Sequence, residues 1–453
     1  MGDDTRSKLV AVGAEGLADV LLELASRHDD AADMLQRLLA SSEENQTQFG
    51  DNLEHLASLA DRGRFIDWRH SSQYAMEVAD VLQDLEAAEP DPRTGVESVA
   101  AFFTEFERII EACDDSSGHV SDVFRYDASD HFVSYAKCCE NKEFLEETVF
   151  RLCSEDDYGL TDYVVGRAPE YLPRKSLVSL ADRFKEAAQA ESEERKRWPF
   201  LQPLETLAGH LGKPDLVEWC RRARSENLRA ADHVDIADAH LKAGDAETAL
   251  EWLRKGPPSN SFEGMRHESL LMVALERTDD TEGATEIAWR RFRQYRTDDD
   301  LADLLRFVGE GERERVIDEA WRLIQDSPKL QISDIDFLVE HDRLEDAAAH
   351  VVARSGELDG RFYASLTPLA KTFEAASQPL AASLVYRALL DSILARGYTK
   401  AYGHGVRYLA ALERLAESVS DWQGKATHDT YVAGVREKHG RKWSFWKRVE
   451  EGG

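Results

Sequence analysis

Four sets of side chains in this 453-residue chain carry groups able to do chemistry. The first is Asp114-Asp115-Ser116-Ser117-Gly118, two carboxylates and two hydroxyls in one loop. Such a loop could hold a divalent cation. Calcium, however, takes about six to eight oxygens, usually from spaced carboxylates closed by a glutamate, and that spacing is missing. A helix exit at Gly118, with Asp or Ser capping the next helix, accounts for the same residues more simply. The second set, Asp156-Asp157-Tyr158-Gly159, reads as a turn whose tyrosine ring docks nearby. Facing one groove, the two loops would form a negative patch suited to a basic peptide. The third set is polar and aromatic: Tyr402, His404, Tyr408, His428, Tyr431 and His439. Histidines can bind metal or move protons, but none of these stands in an H-E-x-x-H frame, so helix packing is the expected role.

The fourth set is the tail, the one region of opposite charge. Arg436, Lys438, His439, Arg441, Lys442, Lys447 and Arg448 interleave with Trp443, Phe445 and Trp446. Cations among aromatics can grip a single strand of nucleic acid by charge and stacking. They can also close a helical stack, the aromatics covering its last face and the cations pairing with an acidic body. The second reading is preferred, because the body carries the opposing field. The candidate partner-contact residues are therefore Asp114, Asp115, Asp156, Asp157, Tyr158, Tyr402, His404, Arg441, Lys442, Trp443 and Trp446. No catalytic, cofactor or metal residue is assigned. The sequence has no G-x-S-x-G elbow, P-loop or strand-borne G-x-G-x-x-G, and His267-Glu268 begins a zincin-like motif without its second histidine. No enzyme activity and no cofactor are expected.

The elements that must position these groups show themselves as a period. Small or β-branched residues recur at Val217, Ala249, Ala284, Val316, Ala347 and Ala382, each opening a second apolar run after a polar turn. A step of roughly 34 residues is what stacked tetratricopeptide-like helix pairs produce. The clearest unit is His233 to Leu253, with Gly244 in the turn and Ala249 where two helices cross. Gly212, Asp342 and Ser377 stand at the turns of weaker copies, and Trp219, Trp252, Trp289 and Trp321 fall one per unit. Upstream, Leu17, Val20, Leu21 and Leu24 form one helical stripe, and Phe102, Phe103, Phe106, Ile109, Ile110 and Cys113 another. Breakers cluster at Pro90 to Pro92, Asp114 to Gly118, Asp156 to Gly159, Pro169 to Pro173 and Gly256-Pro257-Pro258. The expected fold is all-α, a TPR-like α-solenoid of antiparallel helix pairs. The expected organisation is an N-terminal helical region at 1–190 and a repeat region with a C-terminal cap at 191–453, joined near Glu191 to Arg197.

Composition narrows the partners. There are 87 acidic and 56 basic residues, a formal net charge of −31, which argues against nucleic acid as a whole-surface partner. Only 16 of the basic residues are lysine, a balance that fits either a salt-rich cytosol or a GC-rich genome. The five cysteines include no C-x-x-C, so neither a disulfide framework nor a zinc set is expected. No apolar run is long enough to span a membrane and the N-terminus lacks a secretory pattern, so a cytoplasmic location is expected.

Several segments in order resemble a family of bacterial all-helical proteins, and also helical regions that accompany SWIM-type zinc fingers in larger proteins. They are residues 12–25, 64–69, 113–125, 156–160, 244–253, 386–394 and 400–409, with the tail 421–446. The resemblance implies a helical, TPR-like fold and no established activity. The SWIM cysteines and histidine are absent here, so zinc-finger function is not implied. The function expected is a scaffold for a peptide or protein partner, the alternative being a nucleic-acid accessory factor acting through the tail.

Overall fold

The computed structural model describes residues 3–256 and 261–451. Pro257 and Pro258 of the expected breaker lie outside the described residues. The described chain is all-α, with no strand and one isolated bridge between Ile66 and Cys113. It divides into two compact units, residues 1–267 and 268–453.

The first unit begins with α1 (Asp3–Val12), α2 (Ala14–Ala25), α3 (Asp29–Leu39), α4 (Ser42–Ala57), α5 (Ser71–Ala87), α6 (Pro92–Thr104) and α7 (Phe106–Ile110). It continues through α8 (His119–Asp122), a π-helical segment (Val123–Ala128), α9 (Ser129–Cys138), α10 (Lys142–Ser154), α11 (Asp162–Gly166) and α12 (Arg174–Ala190). Helix starts follow local chemistry. Ser41 and Glu44 make a reciprocal capping box on α4, and Asp91 caps α6 with Pro92 in its first turn. The aromatic stripe read from the sequence becomes the core. Phe102 stacks on Phe124 at 4.5 Å, and Phe106 meets the same ring edge-on at 5.0 Å.

Helix pairs follow: α13 (Trp198–Leu211) with α14 (Pro214–Arg224), then α15 (Ala230–Ala243) with α16 (Ala246–Arg254). Next come α17 (Ser261–Arg277), within which the division at 267/268 falls, α18 (Thr281–Tyr295), α19 (Asp298–Val308) and α20 (Arg313–Asp326). The second unit then adds α21 (Ile332–Glu340), α22 (Leu344–Ala353), α23 (Tyr363–Ala375) and α24 (Pro379–Arg396). It closes with α25 (Tyr402–Ala416), α26 (His428–His439) and α27 (Trp443–Glu450). Each of the six aligned small residues lies on the second helix of a pair, and each is buried. Between the helices of each pair stands one residue of positive φ: Gly212, Gly244, Asp279, Gly309, Asp342 and Ser377. A positive φ thus recurs at the turns, though Gly309, with ψ 145°, lies outside the left-handed helical region that Gly212 and Gly244 occupy. Glu191 to Arg197 connects α12 to α13, helices that pack on each other within the first unit.

Two stability effects follow from this frame. Ala249 is fully buried at a helix crossing. Ala249→Leu should overpack it and cost about 1–3 kcal/mol, read as a lower urea midpoint; overlaid melts would remove Ala249 from a tight crossing. Ser377 holds φ 58°. A left-handed residue with a Cβ costs roughly 1 kcal/mol over glycine, so Ser377→Gly should raise the melting temperature, and a fall would contradict the strain.

Candidate functional site

The loop of Asp114 and Asp115 is a cap. Asp115 accepts hydrogen bonds from the backbone N–H groups of Val120 and Ser121, both at 2.9 Å, and from the Ser121 hydroxyl at 2.7 Å. Asp114 accepts from the Ser116 N–H at 3.1 Å, and Gly118 takes φ 76° at the entry to α8. The second loop repeats this logic. Asp156 accepts from the N–H groups of Tyr158 and Thr161 at 2.9 and 2.7 Å, and from the Thr161 hydroxyl at 2.7 Å. Both lead carboxylates are thus consumed by their own backbones. Among the described residues no group of three or more His, Cys, Asp or Glu converges as a metal site.

The second loop packs on the aromatic core. Tyr158 sets its ring edge-on to Phe106 at 5.2 Å, and Phe106 in turn packs on Phe124 just beyond the first loop. From the π-helical segment Tyr126 reaches Tyr163 of α11 at 5.8 Å. Tyr126, Tyr158 and Tyr163 all keep much of their rings exposed. Near them Asp156 lies beside Asp162 and Asp122 beside Asp127, while Arg125 pairs with Asp122 at 3.2 Å and the Arg167 guanidinium stands over the Tyr163 ring at 5.4 Å. Burial and the negative charge of Asp156 push the Asp162 carboxyl above its ordinary range, and burial beside Asp130 does the same to Asp127. Burial is the larger cause at both groups, and the neighbouring carboxylates add to it. The π-helical segment was not visible in the sequence, yet it positions Tyr126 and Asp127. Such segments recur at functional sites.

The raised Asp162 value has a signed consequence. The folded chain holds that proton to higher pH than the unfolded chain does. The associated stability is present below the unfolded value of about 4 and lost as pH rises through the folded value. Asp162→Asn cannot titrate. It should melt higher than the wild type at neutral pH, with the gain shrinking toward acid; a gain independent of pH would point away from ionisation.

The C-terminal set divides. Tyr402 and Tyr408 are buried in helix packing, and Tyr431 donates to Asp391 at 2.8 Å. His404 is exposed and contacts Arg407. The Trp446 indole donates to the His439 carbonyl at 3.0 Å, while Phe445 packs edge-on against Tyr402 at 5.5 Å. Tyr402 and Trp446 thus offer little surface to a partner. Trp443 differs, being 70% exposed. The expected pairing of tail cations with an acidic body takes a weaker form: Lys438 and His439 lie near enough to Asp391 of α24 to favour its charge. Among the described residues, Lys447 pairs with Glu451 in its own helix at 3.6 Å, and Arg436 stacks over Trp446 at 4.5 Å. Among the described residues no ion pair holds Arg441, Lys442 or Arg448. Burial comes first for the tail aromatics, and the cations remain at the surface.

The cysteines are all free. Burial pushes the Cys113, Cys153 and Cys220 thiols up to about 12, which leaves them poor nucleophiles. His267, the start of the incomplete zincin-like motif, is buried against the Leu253 carbonyl at 2.9 Å.

A family model covers this chain at residues 5–239 and again at 213–448, described as a family of unknown function (DUF6880). The chain belongs to that family. The two matches show that DUF6880 character runs through both compact units. No functionally curated protein matches the DUF6880 chain. A solved structure described as a circular tandem repeat protein with novel repeat topology and enhanced subunit contact surfaces is 15% identical, covering 96% of each chain with a TM-score of 0.14. Among the described residues no helix is long and apolar enough to cross a membrane.

Proposed function

We propose that this DUF6880 chain is a non-catalytic interaction scaffold that holds a basic peptide segment against the acidic, tyrosine-bearing face of its first unit. The observation that supports the reading is the set of exposed rings Tyr126, Tyr158 and Tyr163 on elements that also carry Asp122, Asp127, Asp156 and Asp162. Exposed tyrosine faces accept cationic side chains, and crowded carboxylates gain when a cation arrives. Helical repeats suit the role, because each pair leaves a surface free once its neighbours are stacked. The test is panning of short random peptides displayed against the immobilised chain. Lys- and Arg-rich sequences should be enriched, bind less at higher salt, and bind Asp157→Asn and Tyr163→Ala more weakly. Enrichment without basic bias, or variants that bind as well as wild type, would dismiss this face.

A second reading rests on the tail. Exposed Trp443 beside Arg441 and Lys442 suits a stacked base and its phosphate. A labelled single-stranded oligonucleotide titrated at two salt concentrations tests it. Trp443→Ala should weaken binding by about 1–3 kcal/mol without lowering the melt.

A further inference from the structure

Arg387 of α24 is a cation buried without a paired counter-ion. It packs against the connection 417–427 that joins α25 to α26, and only 6% of the residue is exposed. Its Nη1 donates to the Ala426 carbonyl at 2.8 Å. The Trp422 and Tyr431 rings stand 4.7 and 4.5 Å from the guanidinium carbon. Nε and Nη2 carry N–H groups that point the same way along one edge of the guanidinium. Both nitrogens are buried, and among the described residues neither finds a hydrogen-bond partner. Asp391, one turn further along α24, does not fill that edge. It accepts from the Tyr431 hydroxyl at 2.8 Å and acts on Arg387 through its field alone. A buried charge is costly unless it is paired and hydrogen-bonded, and an unsatisfied buried donor marks the place of a water or an ion.

The surroundings favour an anion. Ala426 and the capping residue Thr427 lead into α26, whose 12 residues put a positive helix end beside the guanidinium. At its first position the buried His428 Nδ1 also lacks a partner among the described residues. So does the wholly buried Ser383 hydroxyl, one turn before Arg387 on the same face of α24. We propose that the free edge of Arg387, at the start of α26, binds a small monocarboxylate. Two parallel N–H groups match the two oxygens of a carboxylate, whereas a water offers one oxygen and leaves the charge uncompensated. One guanidinium balances one negative charge, so a doubly charged phosphate would carry its surplus into a dry setting. The enclosing rings of Trp422 and Tyr431 restrict the body of the acid to a small apolar group. Both donors are closed off from solvent, so the anion enters as the 417–427 connection parts from α24.

The experiment exchanges sodium chloride for sodium acetate around the full chain at fixed ionic strength, which holds constant the screening of its acidic surface. Two readouts are taken, the melting temperature and the NMR line width of isotopically labelled acetate. The wild type should broaden the acetate line, and its melting temperature should climb with acetate concentration. Arg387→Met should lose both responses; it should fold, since exchanging a buried charge for an apolar chain of similar length is often neutral or stabilising. Arg387→Lys keeps the charge without the paired edge and should bind acetate about tenfold more weakly or worse. It carries the test alone where the methionine variant fails to fold. A wild type that neither broadens the line nor melts higher would overturn the proposal. So would equal responses from wild type and Arg387→Met, a lysine variant that binds as tightly as wild type, or a wild type that phosphate stabilises as strongly as acetate.

Discussion

Asp334→Ala is expected to destabilise the second unit by about 3–5 kcal/mol, the range for breaking a buried ion pair from one side. Asp334 lies on α21 and accepts a hydrogen bond from Arg296 Nε at 2.8 Å, with both side chains almost wholly buried. Arg296 is itself unusual. It ends α18 in the left-handed region at φ 51°, and its guanidinium also donates to the Arg293 carbonyl. Phe292 and Phe337, at 5.9 Å, pack beside the pair. Removing the carboxylate leaves a guanidinium without its counter-charge in this apolar setting, and water can reach it only by opening the α18–α21 contact. The loss should appear as a lower urea midpoint with the slope unchanged. Replacing both groups, Arg296→Met with Asp334→Leu, should recover most of it, because the desolvation cost goes with the charges. A single variant costing less than about 1 kcal/mol would mean that solvent already reaches Arg296.

That pair also marks where the sequence stops being readable. Its members are 38 residues apart, and no local pattern distinguishes Asp334 from a solvated helix carboxylate. The repeat frame was legible for the opposite reason. A helix crossing admits only a small side chain, so Ala249, Ala284, Ala347 and Ala382 repeat because the geometry repeats. The turns were legible in part. Gly212 and Gly244 announce a positive φ, whereas Asp279 hides the same conformation behind an ordinary polar residue. The stripe of Val20, Leu21 and Leu24 was rightly read as one face of a helix. A period says which side chains share a face, however, and not which way the face points. In the structure all three side chains are exposed. At the candidate site, capping by Asp115 was foreseeable from chemistry within a few residues. The ring on which Tyr158 docks, Phe106, was not, since it depends on how α7 and the π-helical segment pack.

The tail carries the second large effect, and it separates three neighbouring aromatics. Phe445→Ala and Trp446→Ala should each cost about 3–5 kcal/mol, as truncations of buried aromatic rings do. Trp443→Ala should cost almost nothing. Phe445 is fully buried, edge-on to Tyr402 at 5.5 Å and to Trp446 at 5.1 Å. A Cβ built on Gly405 of α25 would lie 3.1 Å from the Phe445 ring, so helix and ring approach as closely as a glycine allows. Trp446 adds an indole bond to the His439 carbonyl and the Arg436 guanidinium over its face. Losing it removes apolar burial and leaves the His439 carbonyl with the Lys442 N–H alone. Trp443, one helical turn away, has most of its ring in solvent with Lys447 at 5.3 Å. Thermal melts of the three variants, with the oligonucleotide titration alongside, test the division. Closure of the second unit by α27 requires the first two to melt lower and the third to melt with the wild type. Three coincident melts would mean that α27 adds nothing to the second unit. A Trp443→Ala variant that also melted low would place that ring in the core and leave the tail no free aromatic surface for a nucleic acid.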